Sequence, residues 1–130
     1  MITLDSHVVL WLLAKPEKLS AYASRAIEQA RRHHEGFGIA AVTLYELALG
    51  IERKRMQVHG ELSEVLGRIE EFVTILPLTS AIAAKAAKMP DGFPRDPFDR
   101  IIAATALVHG TPLVTADGDI RRSGAVATIW

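Results

Sequence analysis

Met1-Ile2-Thr3-Leu4-Asp5-Ser6-His7 begins the chain, and Val8 to Ala14 follows as an apolar run. Met1 to Leu4 reads as a short buried strand and Ser6 to Ala14 as the helix after it, with an acid at their junction. Outward from this unit, helical and extended segments alternate. Ser20 is placed to cap a helix running to about His34. A strand from Phe37 to Val42 leads into a helix from Thr43 to Lys54. Leu62, Val65, Leu66, Ile69 and Phe72 form the apolar stripe of another helix, Glu61 to Phe72. Val73 to Leu76 reads as a strand, Thr79 to Lys88 as an Ala-rich helix and Met89 to Pro97 as a proline loop. Pro97 to His109 reads as a helix ended by Gly110. Strands at Thr111 to Ala116 and Val126 to Trp130 flank a turn at Asp117 to Ser123. Strands separated by helices predict an α/β fold, a parallel sheet covered on both faces.

The length of 130 residues suits one domain, spanning 1–130, with a single core. Nearly half the residues are apolar and fewer than a quarter are charged, a globular composition rather than a disordered one. With no cysteine, disulfides and thiolate metal sites are excluded, which fits a cytoplasmic location. The run Val8 to Ala14 is too short to span a membrane and follows an aspartate, so it makes a poor signal peptide.

Four carboxylates stand where this fold would gather them. Asp5 and Asp117 each follow an apolar strand, Glu46 lies just past a third strand, and Asp99 begins the helix after the proline loop. Ligands of open parallel sheets bind at the carboxyl ends of the strands. Crowded acids repel one another, so a chain that collects them usually holds a cation. Oxygen donors without His or Cys suit Mg2+ or Mn2+ rather than Zn2+. Each acid also has a local structural reading. Thr43 to Glu46 has the form of a capping box. Asp96 can cap the helix that opens at Pro97, with Asp99 in its first turn. Asp5 can cap the helix after the first strand, and Asp117-Gly118 is a common turn dipeptide. Asp119 reads as the cap of Ile120 to Arg122, with an outer-shell metal role as the alternative. Capping explains each acid alone; four caps facing one edge is the less economical account.

Net charge is zero, which counts mildly against a nucleic-acid binder. Neutralising the four carboxylates would leave a surplus of four positive charges. Arg53, Lys54, Arg100, Arg121 and Arg122 are then candidate phosphate contacts, with solvated helix ends as the plainer reading. His33 and His34 read as solvated surface, and His7 and His109 as structural imidazoles. Trp11 and Trp130 read as packing residues. No phosphate-binding glycine loop or nucleophile elbow is present.

Four segments carry a resemblance to a known family. Ile2-Thr3-Leu4-Asp5-Ser6-His7 with Leu10-Trp11, Thr43-Leu44-Tyr45-Glu46-Leu47, Asp96-Pro97-Phe98-Asp99-Arg100-Ile101-Ile102-Ala103 and Leu113-Val114-Thr115-Ala116-Asp117 resemble, in order, the motifs of PIN domains. The chain is similar in particular to the VapC-like toxins of bacterial type II toxin–antitoxin pairs. The resemblance implies a three-layer α/β/α fold with a central parallel sheet of four to five strands. It also implies an Mg2+- or Mn2+-dependent endoribonuclease that hydrolyses RNA with metal-activated water, leaving 5′-phosphate and 3′-hydroxyl ends. Asp5, Glu46, Asp99 and Asp117 would form its acidic cluster, supported by the Ser6 and Thr115 hydroxyls. Asp96 recurs in this branch as a helix-start residue. Tyr45 departs from the tryptophan of many relatives. A VapB-like antitoxin along the helices between Thr43 and Phe72, and a homodimer, are the partners it implies. The alternative is a PIN-like module that binds RNA or protein without cutting. A phosphatase on a related sheet would place a second acid two residues after the first, where this chain has His7.

Overall fold

A computed structural model describes residues 1–130. The strands are β1 (Ile2–Leu4), β2 (Phe37–Ala40), β3 (Thr74–Leu76), β4 (Leu113–Val114) and β5 (Thr128–Ile129). The helices are α1 (Ser6–Ala14), α2 (Ala21–Arg32), α3 (Ala41–Glu52), α4 (Leu62–Phe72), α5 (Ser80–Ala87), α6 (Pro97–His109) and α7 (Gly118–Ser123). The five strands form one sheet in the order β3-β2-β1-β4-β5, parallel at every pairing. Thr3 lies opposite Gly38 on one side and Leu113 on the other.

Side chains alternate between the two faces of a strand. Ile2, Leu4, Phe37, Ile39 and Val114 pack with Val8, Val9, Ile27, Val65 and Ile69 from α1, α2 and α4. Ala40 and Leu113 pack on the opposite face with Ile82, Ile102, Ala103 and Ile120 from α5, α6 and α7. Both faces are therefore covered, as a parallel sheet requires. Gly38 leaves room for the Leu76 side chain of β3, since a Cβ there would lie 2.8 Å from Leu76 Cδ1.

The strand order sets the place of the site. From β1 the chain winds through β2 to β3, then crosses back to build β4 and β5 on the other side of β1. The winding reverses between β1 and β4, so the loops leaving their carboxyl ends part and open a crevice there.

Several expected boundaries move. β2 ends at Ala40 and α3 begins at Ala41 with no connecting residue, two residues before the expected start at Thr43. β5 contains only Thr128–Ile129, and Val126 before it is buried in the core of the α5, α6 and α7 face. Ser20, Thr79 and Asp96 accept bonds from the first-turn amides of α2, α5 and α6, as their residue types lead one to expect. No helix is long and apolar enough to cross a membrane.

Candidate active site

Asp5 leaves β1 at the β1–β4 crevice, and its amide donates to the Val114 carbonyl at 3.0 Å. Its carboxylate is 3% exposed, so a chain this size would keep it there only with partners for both oxygens. One oxygen accepts the Ser6 amide at 2.8 Å and the other accepts the Thr115 hydroxyl at 2.6 Å. Thr115 in turn accepts the Asp117 amide at 3.0 Å. One buried threonine thus ties the acid after β1 to the acid after β4.

The capping-box reading of Glu46 does not hold. Ala40 occupies the N-cap of α3 and makes no side-chain cap bond. With α3 starting at Ala41, Thr43 lies inside the first turn and is fully buried, and Glu46 faces the crevice. Glu46 instead accepts a short hydrogen bond from the Ser6 hydroxyl, whose oxygen lies 3.5 Å from the Thr43 hydroxyl. The Ser6 hydroxyl therefore orients a carboxylate.

Asp117, not Asp119, caps α7. Its Oδ1 accepts the Asp119 amide at 2.8 Å and the Ile120 amide at 3.0 Å. Thr115 holds the Asp117 amide and so decides which aspartate reaches the cap. Asp119 is exposed and pairs with Arg122 at 2.6 Å. Asp96 caps α6 through its Oδ1, taking the Phe98 amide at 2.8 Å.

His7 takes a part that its apolar surroundings did not announce. Its Nε2 accepts the Ala116 amide at 3.0 Å, which places the ring proton on Nδ1. Nδ1 lies 3.7 Å from an Asp5 oxygen. The imidazole braces the β4 loop against the first turn of α1.

The electrostatics show how closely these groups stand. Asp99 is pushed up to about 7, first by burial and then by the charges of Asp96, Asp5, Asp117 and Glu46. Burial also raises Glu46; the Ser6 bond opposes that rise, and Asp5 and Asp96 add to it. No lysine or arginine forms an ion pair with any of these five acids. The acids from β1, α3, α6 and the β4 loop thus share one field without a resident cation among the side chains. As they stand, no three of them close around a common point.

This geometry predicts how the metal-free protein responds to pH. A carboxylate raised on folding holds its proton longer in the native state than in the unfolded one. Its contribution to stability is complete below the ordinary value of 3.8 and disappears as the pH passes about 7. Thermal melts in EDTA should therefore show Asp99 lowering the stability progressively across that interval. A contribution that grows with pH would contradict the geometry.

Of the basic candidates, Arg100 is already engaged, donating to the Pro94 carbonyl at 2.9 Å, and Arg122 is paired with Asp119. Arg53, Lys54 and Arg121 are exposed and unpaired. Arg53 and Arg55 line a cavity of about 250 Å³ together with Glu46, Asp96 and Phe98.

Residues 2–125 match the sequence profile of the PIN domain. The chain belongs to the PIN-domain family. Among PIN-domain proteins it is 40% identical to Ribonuclease VapC22 of Mycobacterium tuberculosis over 131 residues, covering 99% of this chain and 98% of that protein. VapBC2 from Rickettsia felis, solved bound to a DNA fragment from its promoter, has the same fold (TM-score 0.73, 16% identity, 98% of this chain and 97% of that one). FitAcB from Neisseria gonorrhoeae is likewise similar, with a TM-score of 0.64 and 26% identity over 98% of this chain and 96% of that one. The expected three-layer PIN fold is thereby borne out, with five strands in its sheet.

Proposed function

We propose that this PIN-domain protein is a divalent-metal-dependent endoribonuclease, the toxin of a VapBC-type pair, acting as one domain over residues 1–130. The observation that carries the reading is the set of unneutralised carboxylates at the point where the sheet's winding reverses. The similarity to a protein named as a ribonuclease supports the substrate class.

The donor set fits Mg2+ or Mn2+, being all hard oxygen and drawn from four segments. Asp5 and Asp99 would be direct ligands, with Glu46 and Asp117 completing the set. Enclosing an ion requires the half-buried Asp99 and Asp117 side chains to turn inward, since mutual repulsion opposes their approach without one. When bound, the ion lowers the pKa of the attacking water and neutralises charge that builds on the phosphate. The protein's own residues do the positioning. Thr115 and the Ser6 amide fix Asp5, while the Ser6 hydroxyl fixes Glu46. Asp99 would have to give up its proton to hold the cation, so apparent affinity should rise with pH up to about 7 and level off above it.

A VapB-like antitoxin, a homodimer and a cytoplasmic location belong to the same reading. A free ribonuclease would damage its own cell, and co-purification from the native operon should recover the antitoxin. The decisive experiment incubates the full-length protein with structured RNA and Mg2+ or Mn2+, with and without EDTA. Cleavage that stops with EDTA and returns with excess Mn2+ is the expected result; cleavage indifferent to EDTA would refute the metal-dependent assignment.

A further inference from the structure

A cleft of about 500 Å³ runs between α1 and the turn after α3. Its wall includes His7, Trp11, Lys15, Lys18, Lys54 and Arg55, and no acid. In a protein with no net charge, four cations lining one cleft without a counter-charge is a marked local departure. None of the four forms an ion pair. Trp11 packs against Trp130 at 5.7 Å between ring centroids and keeps part of its indole in the cleft, where the Lys18 ammonium lies over it at 5.7 Å.

Lys54 follows the C-cap of α3 in a left-handed conformation with φ of 55°, a common way for a helix to end. The Arg55 and Met56 amides both donate to the Gly50 carbonyl, at 2.9 and 3.2 Å, and fold the turn back onto α3. Gly50 leaves room for the Met56 side chain, since a Cβ there would lie 2.6 Å from its sulfur.

The cleft adjoins the carboxylates at two places. His7 belongs to its wall and also lies 3.7 Å from Asp5. Arg55 belongs to its wall and also lines the smaller cavity holding Glu46 and Asp96. We infer that this cleft is a subsite for single-stranded RNA, in which Trp11 stacks a base while Lys15, Lys18, Lys54 and Arg55 hold the adjoining phosphates. The inference rests on the ribonuclease reading and adds the path by which the strand approaches the carboxylates. Paired cations and an aromatic platform are the two elements of sequence-tolerant strand binding. An acidic protein segment would use the cations but has no need of the indole.

The test titrates full-length Asp99→Asn protein with a short fluorescein-labelled single-stranded RNA, reading anisotropy at several salt concentrations. Replacing Lys15, Lys18, Lys54 and Arg55 together by alanine should flatten the dependence of log affinity on log salt by about 2–3. Trp11→Leu should weaken binding by about fivefold to a hundredfold with the salt slope retained. Trp11→Phe keeps an aromatic face and should retain most of the affinity, which separates stacking from damage to the fold. With the Asp99 protein, the fourfold variant's loss should fall on KM rather than on kcat. An unchanged salt slope, or a tryptophan series without effect while polyglutamate competes as well as RNA, would overturn the inference. Cleavage with unaltered KM in the fourfold variant would overturn the subsite and leave the nuclease intact. RNA binding through these residues without any cleavage would support the subsite and overturn the nuclease.

Discussion

Asp99→Asn should abolish RNA cleavage and, in the same protein without metal, raise its stability. Asparagine keeps the shape of the side chain but removes the charge that burial and then four neighbouring acids oppose. The rise from 3.8 to about 7 corresponds at face value to about 4 kcal/mol. Asp99 is half-exposed and water screens much of that, which leaves about 1 kcal/mol. At pH 8 in EDTA the melting temperature should therefore rise by about 3–5 °C. The gain should vanish below about pH 3, where the wild-type carboxyl is protonated in both the folded and the unfolded state. Cleavage should fall by about 10²-fold or more, since a ligand that would hold the cation at the reacting phosphate is removed. Saturable stabilisation by Mn2+ should be lost as well. A variant that melts at the wild-type temperature at pH 8 and still cuts would show that Asp99 stands outside the cluster.

Asp5→Ala should have the opposite effect on the fold. Asp5 is buried and joins β1, α1 and the β4 loop through its two oxygens. Alanine leaves the Thr115 hydroxyl and the Ser6 amide without acceptors in a buried position, at a cost of about 2–4 kcal/mol. Asp5→Asn keeps an acceptor for one of the two donors, so its cost should be about 1–2 kcal/mol. Both variants should be inactive. Urea denaturation measures the difference, and equal midpoints for Asp5→Ala and wild type would refute the structural part of the argument. The contrast between Asp5 and Asp99 is the useful feature: one acid is held in place by the fold, while the other strains it.

That contrast bears on how much was legible beforehand. Helix caps and alternation depend on neighbours within a few residues, and Ser20, Thr79 and Asp96 all cap as their residue types lead one to expect. The crevice acids were legible as residues because each follows an apolar strand or starts a helix. Their partners were not. A four-residue spacing made Glu46 look like half of a capping box, yet its hydroxyl partner lies 40 positions away at Ser6. Asp119 was expected to cap the short segment after the turn, but Asp117, its amide held by Thr115, takes that place. His7 is the structural imidazole expected, but nothing near it in the chain revealed that its partner is the Ala116 amide.

The sequence by itself determined a covered parallel α/β fold and the identity of its crevice acids, because periodicity, caps and strand-end residues are short-range properties. Only the tertiary structure decided that β1 and β4 are neighbours, since strand order follows from packing two helical layers rather than from any one segment. From that adjacency come the shared field that lifts Asp99, the threonine linking Asp5 to Asp117, and the basic cleft beside His7. Each depends on distances between residues far apart in the chain, which charge and hydropathy along one dimension do not encode.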